Sequence, residues 1–167
     1  MGMTWSAIAV ETGRAETLMQ APEQIGEALD ESFDEDEAAG RVAYLDKAWH
    51  AIHFVLTQSA WEGEAPWSWV IFGGSPVVED PDDDNALRHL PAEQVRQVAA
   101  ALATLPVDEF ADRYDAQSLT DADIYPEAIW LRDGEDAKAY VLAYYAELIA
   151  FYAGAAARGD SVFASVG

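Results

Sequence analysis

The chain has 167 residues, 51% of them hydrophobic and 11% aromatic, enough to pack one domain core without disulfide or metal staples. Its 31 acidic residues against nine Lys and Arg leave a formal charge of −22 and a pI near 4.1, a field that repels nucleic acid and anionic membrane and attracts basic partners or cations. The lack of cysteine excludes disulfides, thiol catalysis and thiolate zinc sites, and fits a reducing, cytoplasmic setting.

The opening MGMTWSAIAVETG has neither the basic start nor the long apolar run of a signal peptide. Gly2 and Ser6 match the spacing of a myristoylation signal, but strand formers from Met3 to Val10 predict a strand that ties this segment into the fold. Helices are predicted over 15–21 and 23–33, separated by Pro22, and Ile25, Leu29 and Phe33 form the apolar stripe of the second. Its other faces carry Glu23, Glu27, Asp30 and Glu31 and run on into DEDE (34–37). No base occurs between Arg14 and Arg41, so this is a solvated negative face.

Residues 42–58 read as an amphipathic helix burying Leu45, Trp49, Ile52 and Leu56. Asp46, His50 and His53 then fall within about 60° of one another along the border of that face. Three readings fit: a shared metal ion, an Asp46–His50 acid–base pair, or a surface pair beside one hydrogen-bonded histidine. The surface pair is preferred. Ala51 and Ile52 after His50 break the HExxH pattern, and neither a metal site nor a cofactor is expected.

In WEGEAPWSW, Trp61 and Trp67 flank a Gly/Pro loop, where they cap the core or meet a ligand. WVIF (69–72) before GG and SP has the profile of a buried strand and a sharp turn. GGSPV (73–77) lacks the Lys and Ser/Thr of a phosphate loop, and Val77 stands where a nucleophile elbow needs glycine. In the acidic loop EDPDDDN (79–85), Asp80, Asp82 and Asp84 take EF-hand spacing. Asn85 and Pro91 occupy the required Gly and Glu positions, so the loop reads as solvated.

ALRHL (86–90) is a short predicted strand. Pro91 opens a helix that turns Val95, Val98, Leu102 and Leu105 inward, and Pro106 heads a shorter one. DIYPEAIWL is extended or turn-like around Pro126. Residues 135–158 form a long final helix with Tyr140, Tyr144, Leu148, Phe151 and Ala155 on one face and Ala143, Ala146 and Ala150 on the reverse. Glu147 inside its apolar run and the missing basic flank argue against a membrane span. Arg158 and Gly159 stop it, and SVFASV (161–166) closes the chain as a strand.

Six segments recur in a familiar order: the MGM opening strand, LDKAWHAIHFVLT (45–57), FGG (72–74), LRHLPAEQV (87–95), IYPEAIW (124–130) and LIAFYAGAAARGDSV (148–162). Over the length of the chain this resembles the YfbM-like family, a bacterial domain of unknown function. The resemblance implies a single α/β domain over 1–167, a three-layer α/β/α arrangement with a small mixed sheet and a long C-terminal helix. It implies no activity. His53 belongs to the family-like motif, whereas His50 occupies a more variable position. QSA (58–60) and DDDNAL replace the family's usual loop residues, which bears on ligand contacts more than on the fold.

The foremost functional reading is a cytoplasmic, non-enzymatic protein that turns its acidic surface to a basic protein partner, toxin neutralisation being one concrete form. The alternative is a small-molecule binder or hydrolase-like enzyme with a pocket near His53, formed by Asp46, Lys47, Trp49, His53 and Tyr125. Neither nucleic acid nor membrane is an expected partner. The chain is expected as a monomer, or as a homodimer through its Tyr-rich final helix and loop tryptophans.

Overall fold

The computed structural model describes residues 2–80, 82–83 and 86–167. Strands β1 (Trp5–Val10), β2 (Val42–Tyr44), β3 (Ser75–Pro76), β4 (Arg88–Leu90) and β5 (Ser161–Val166) form one sheet in the order β2–β1–β5–β4–β3. The two ends of the chain make its centre: β1 and β5 pair along their whole length, from Trp5↔Val166 to Val10↔Ser161. The small sheet implied by the resemblance is present, but it is antiparallel where a mixed one is expected. β1 and β5 run opposite ways, and β2, β3 and β4 each turn back against a neighbour, which leaves no parallel ladder among the described residues.

Side chains alternate across these strands, so the sheet has two distinct faces. Trp5, Ala7 and Ala9 share one face with Ala43, Val162 and Leu90; Val10 and Phe163 lie on the other. Helices α1 (Thr12–Leu18) and α2 (Ile25–Ala38) cover the second face through Ala15, Ile25 and Leu29. The larger layer holds α3 (Trp49–Thr57), α4 (Trp69–Phe72), α5 (Ala92–Ala103), α6 (Val107–Arg113), α7 (Ala116–Asp121) and α8 (Ile129–Arg158). Helices therefore lie on both sides of the sheet, giving three layers.

The helix expected over 42–58 begins only at Trp49. Val42, Ala43 and Tyr44 pair with Ile8, Ala7 and Ser6, and a helix there would leave the edge of β1 without hydrogen-bond partners. Asp46 lies in the turn that follows, at φ 46°, so it shares no helical face with His50 and the expected surface pair does not form. WVIF, read as a strand, is the single-turn helix α4. Periodicity cannot separate the two states in so short an apolar run. The carbonyls of Val70 and Ile71 accept from Tyr152 Oη at 2.7 Å and Trp5 Nε1 at 3.0 Å, where a strand would need a neighbouring strand.

α8 is broken by Gly134 at φ 49° and ψ −120°, and the expected start at 135 marks its longer second part. Its buried stripe is Ala137, Val141, Tyr145, Leu148, Phe151, Tyr152 and Ala155, which includes the expected Leu148, Phe151 and Ala155. Tyr140 and Tyr144 flank that stripe, while Ala143, Ala146 and Ala150 face outward. The phenols explain the register: Tyr145 Oη donates to the Leu105 carbonyl at 2.7 Å and Tyr152 Oη to Val70, so both bury their rings without an orphaned hydroxyl. By length and composition alone α8 could cross a membrane; in this fold its apolar stripe packs into the domain's own core.

The FGG turn owes its glycines to close approach. Gly74 sits at φ 80°, where a Cβ would overlap the His89 carbonyl of β4. Gly74→Ala is therefore expected to lower unfolding free energy by at least about 2 kcal/mol, because backbone cannot yield as a side chain would. Urea denaturation would measure it, and a loss below about 0.5 kcal/mol would contradict this account of the turn.

Candidate functional site

Helix α3 is buried almost all round: Trp49, His50, Ala51, Ile52, His53, Val55 and Leu56 are inaccessible. Both histidines nevertheless find backbone partners. The Ala60 carbonyl lies 2.7 Å from His50 Nε2, and the Glu62 carbonyl lies 2.9 Å from His53 Nε2. A carbonyl only accepts, so each Nε2 carries the proton. Tyr125 N–H donates to His50 Nδ1 at 2.9 Å, which fixes that ring as the neutral Nε2–H tautomer. His53 Nδ1 is buried with no partner among the described residues. Burial lowers the pKa of both rings, and that of His53 falls to about 4 because desolvation outweighs its carbonyl bond.

These bonds anchor the loop after α3. That loop carries Trp61, which is 62% exposed yet packs tilted against His50, with ring centroids 4.3 Å apart. Trp61 also lies 6.4 Å from Trp49 and 5.9 Å from Phe72 between ring centroids. The three rings wall a cavity of about 740 Å³, completed by Met3, Ile71, Arg88 and Val166 among others. Its volume and apolar lining match those of small-molecule sites.

The five candidate residues are neighbours, but they do not surround one cavity. Trp49 alone lines the large one. Trp49 and Tyr125 stack with ring centroids 5.7 Å apart, and the N-terminal segment lies over them. Met3 N–H donates to Tyr125 Oη at 2.8 Å, and Trp49 Nε1 donates to the Met3 carbonyl at 3.1 Å. Gly2 packs so closely on Lys47 and Tyr125 that a Cβ would overlap both side chains. Asp46 faces α8, where it accepts from Tyr140 Oη at 2.7 Å and shares a separate recess with Asp133 and Asp136. The Lys47 backbone N–H donates to the same Tyr140 oxygen at 3.0 Å. Burial, followed by this Asp46 bond, raises the Tyr140 pKa. His53 is fully buried and packs edge-on against Phe72 at 4.7 Å. It supports the wall of the cavity from behind.

Arg88 is the residue that sequence reasoning missed. Its Nη2 donates to the Gly74 carbonyl at 2.6 Å and its Nε to the Gly73 carbonyl at 3.3 Å. The signal lay in the strand alternation of RHL: Arg88 is two residues before buried Leu90 and therefore on the core face of the sheet. Phe72 and Ile71 were hidden by reading WVIF as a strand. For the acidic loop, Pro81, Asp84 and Asn85 of the EF-hand reading lie outside the described residues. Among the described residues, no group of three or more His, Asp or Glu is placed to hold a metal ion.

The family model described as a domain of unknown function (DUF1877) matches residues 1–165, and the chain belongs to that family. A solved structure, YfbM from Escherichia coli, described as a protein of unknown function, superposes with a TM-score of 0.70 at 18% identity, covering 98% of this chain and 99% of that one. That likeness shows the fold. No curated protein matches the chain significantly.

The buried imidazoles make stability depend on pH in a defined direction. The unfolded chain takes up protons below about pH 6.5, while folded His53 does so only near 4. Its contribution is thus complete above about pH 6.5 and is lost as pH falls toward 4. Comparing wild type with His53→Gln isolates this proton from the many carboxylates. The stability gap between them is expected to narrow by about 2 kcal/mol from pH 7 to pH 5 in urea denaturation. A gap that stays constant would show that His53 titrates alike in both states.

Proposed function

Starting from membership of a family that brings a fold but no activity, we propose that this chain is a non-enzymatic binding protein for an apolar small molecule, held in the cavity against the wall that Trp49, Trp61 and Phe72 form. The observation that carries this reading is the cavity of about 740 Å³ with a 62%-exposed tryptophan on its wall. An exposed indole leaves a large apolar surface in water, and a ligand that covers it gains that area. The neighbouring chemistry supports binding over turnover. Both nitrogens of His50 are engaged in hydrogen bonds, and His53 is enclosed in the core behind Phe72. Neither offers a base to the cavity. This moves the small-molecule reading from His53 itself to the space its helix helps to wall.

The chain has six tryptophans, so 5-fluorotryptophan labelling gives one ¹⁹F signal for each. In a screen of apolar fragments, binders are expected to shift the Trp49 and Trp61 signals, and Trp61→Ala should weaken them roughly tenfold. Fragments that bind Trp61→Ala as well as wild type, or that move only other tryptophans, would contradict the reading.

A second reading, a basic protein partner on the acidic surface, is favoured by α2. Glu27, Asp30, Glu31, Asp34, Glu35 and Glu37 are exposed there, and among the described residues of this helix only buried Asp36 has an ion pair, with Arg14 at 3.5 Å. A cytoplasmic, toxin-neutralising role is the concrete form. Affinity for such a partner should fall steeply between low and high salt, and more weakly after Glu27→Gln, Asp30→Asn, Glu31→Gln and Asp34→Asn together. Isothermal titration on a partner purified by native pull-down would measure both, and an affinity indifferent to salt and to these substitutions would reject the acidic face as its site.

A further inference from the structure

Resting on the cavity reading above, we propose that the ligand is an anion with an apolar body, a carboxylate or sulfonate on an aryl or alkyl frame, and that Arg88 receives its charged group. Arg14, Arg41, Arg96, Arg132 and Arg158 each pair with a carboxylate. Among the described residues Lys47, Arg88, Arg113 and Lys138 have no carboxylate partner, although the chain carries 31 acids, and of these four Arg88 lines the cavity.

The guanidinium is held in place as well as unpaired. The Gly73 and Gly74 carbonyls take its Nε and one Nη2 proton, fixing the plane of the fork. Among the described residues, Nη1 makes no hydrogen bond. A half-buried guanidinium with oriented donors and no counter-charge is an anion-binding group in waiting. The surrounding Trp49, Trp61, Ile71, Phe72 and Val166 lower the local dielectric, which strengthens a single charge pair.

A cationic ligand is the competing occupant of an aromatic-walled cavity. Two observations count against it. The rings pack against one another, with centroids 5.8 to 6.4 Å apart, so no cage opens between them. Arg88 would also repel a cation at close range. The net charge of −22 opposes the long-range approach of an anion. Recognition is therefore short-range, and association should quicken as salt screens that repulsion.

The test uses two fluorescent probes on the full chain at pH 7: 1-anilinonaphthalene-8-sulfonate and its uncharged relative N-phenyl-1-naphthylamine. Wild type is expected to bind the sulfonate roughly tenfold more tightly, and Arg88→Gln to abolish that preference while keeping the neutral probe. Octanoate and 1-octanol displacing the neutral probe from wild type repeat the comparison without any substitution, in case Arg88→Gln disturbs the FGG turn. Octanoate should displace at roughly tenfold lower concentration. Equal affinity for charged and neutral members, or a preference that survives Arg88→Gln, overturns the anion inference and leaves the cavity reading intact. If neither probe binds, or both bind Trp61→Ala unchanged, the cavity reading itself has failed.

Discussion

His50 and His53 place their Nε2 protons on the carbonyls of Ala60 and Glu62, at 2.7 and 2.9 Å. The geometry of the cavity depends on these two bonds. The loop between α3 and α4 has little regular structure and carries the exposed Trp61. Without partners its carbonyls would turn to solvent, and the indole would have no fixed place beside Trp49 and Phe72. Neutral imidazoles suit the task because a buried charge would need a counter-ion, and among the described residues neither ring has a carboxylate partner. The same rings that look catalytic by spacing therefore serve as donors that hold a wall.

The rest of the frame converges on that wall. Trp5, in the strand that pairs the two ends of the chain, donates to Ile71, while Tyr152 of α8 donates to Val70. Together they fix α4, and α4 presents Phe72 and leads into the glycines that hold Arg88. A sheet strand, a long helix and two glycine carbonyls thus meet around one concavity. On the far side of the sheet, α1 and α2 pack with a smaller apolar cluster and leave most carboxylates of α2 in water. Small molecule and basic partner are therefore readings of opposite faces.

Local pattern made much of this legible. β1, β5 and the inward stripe of α5 follow from alternation or from Val95, Val98 and Leu102 at helical spacing. Long-range pairing produced the misreadings. Val42–Tyr44 is a strand because β1 needs an edge partner, and WVIF is a helical turn because Trp5 and Tyr152 satisfy its carbonyls. The register of α8 depends on where Tyr145 and Tyr152 find acceptors, which periodicity does not report. At the site, Trp49 was visible as a buried helix residue and pocket candidate, and Trp61 as an aromatic flanking a Gly/Pro loop. Arg88 was visible only to a reading of RHL that asked which face its alternate residues share. The partners of His50 and His53 lie ten and nine residues onward, beyond the reach of helical spacing.

The central claim is that both α3 imidazoles are neutral donors to the Trp61 loop. Long-range ¹H–¹⁵N correlation of the histidine rings in labelled protein tests it most directly. At pH 7 the account predicts His50 and His53 as Nε2–H tautomers, with His53 unprotonated at Nδ1 down to about pH 5. A cationic ring for either residue at pH 7, or an Nδ1–H tautomer at His50, would contradict it.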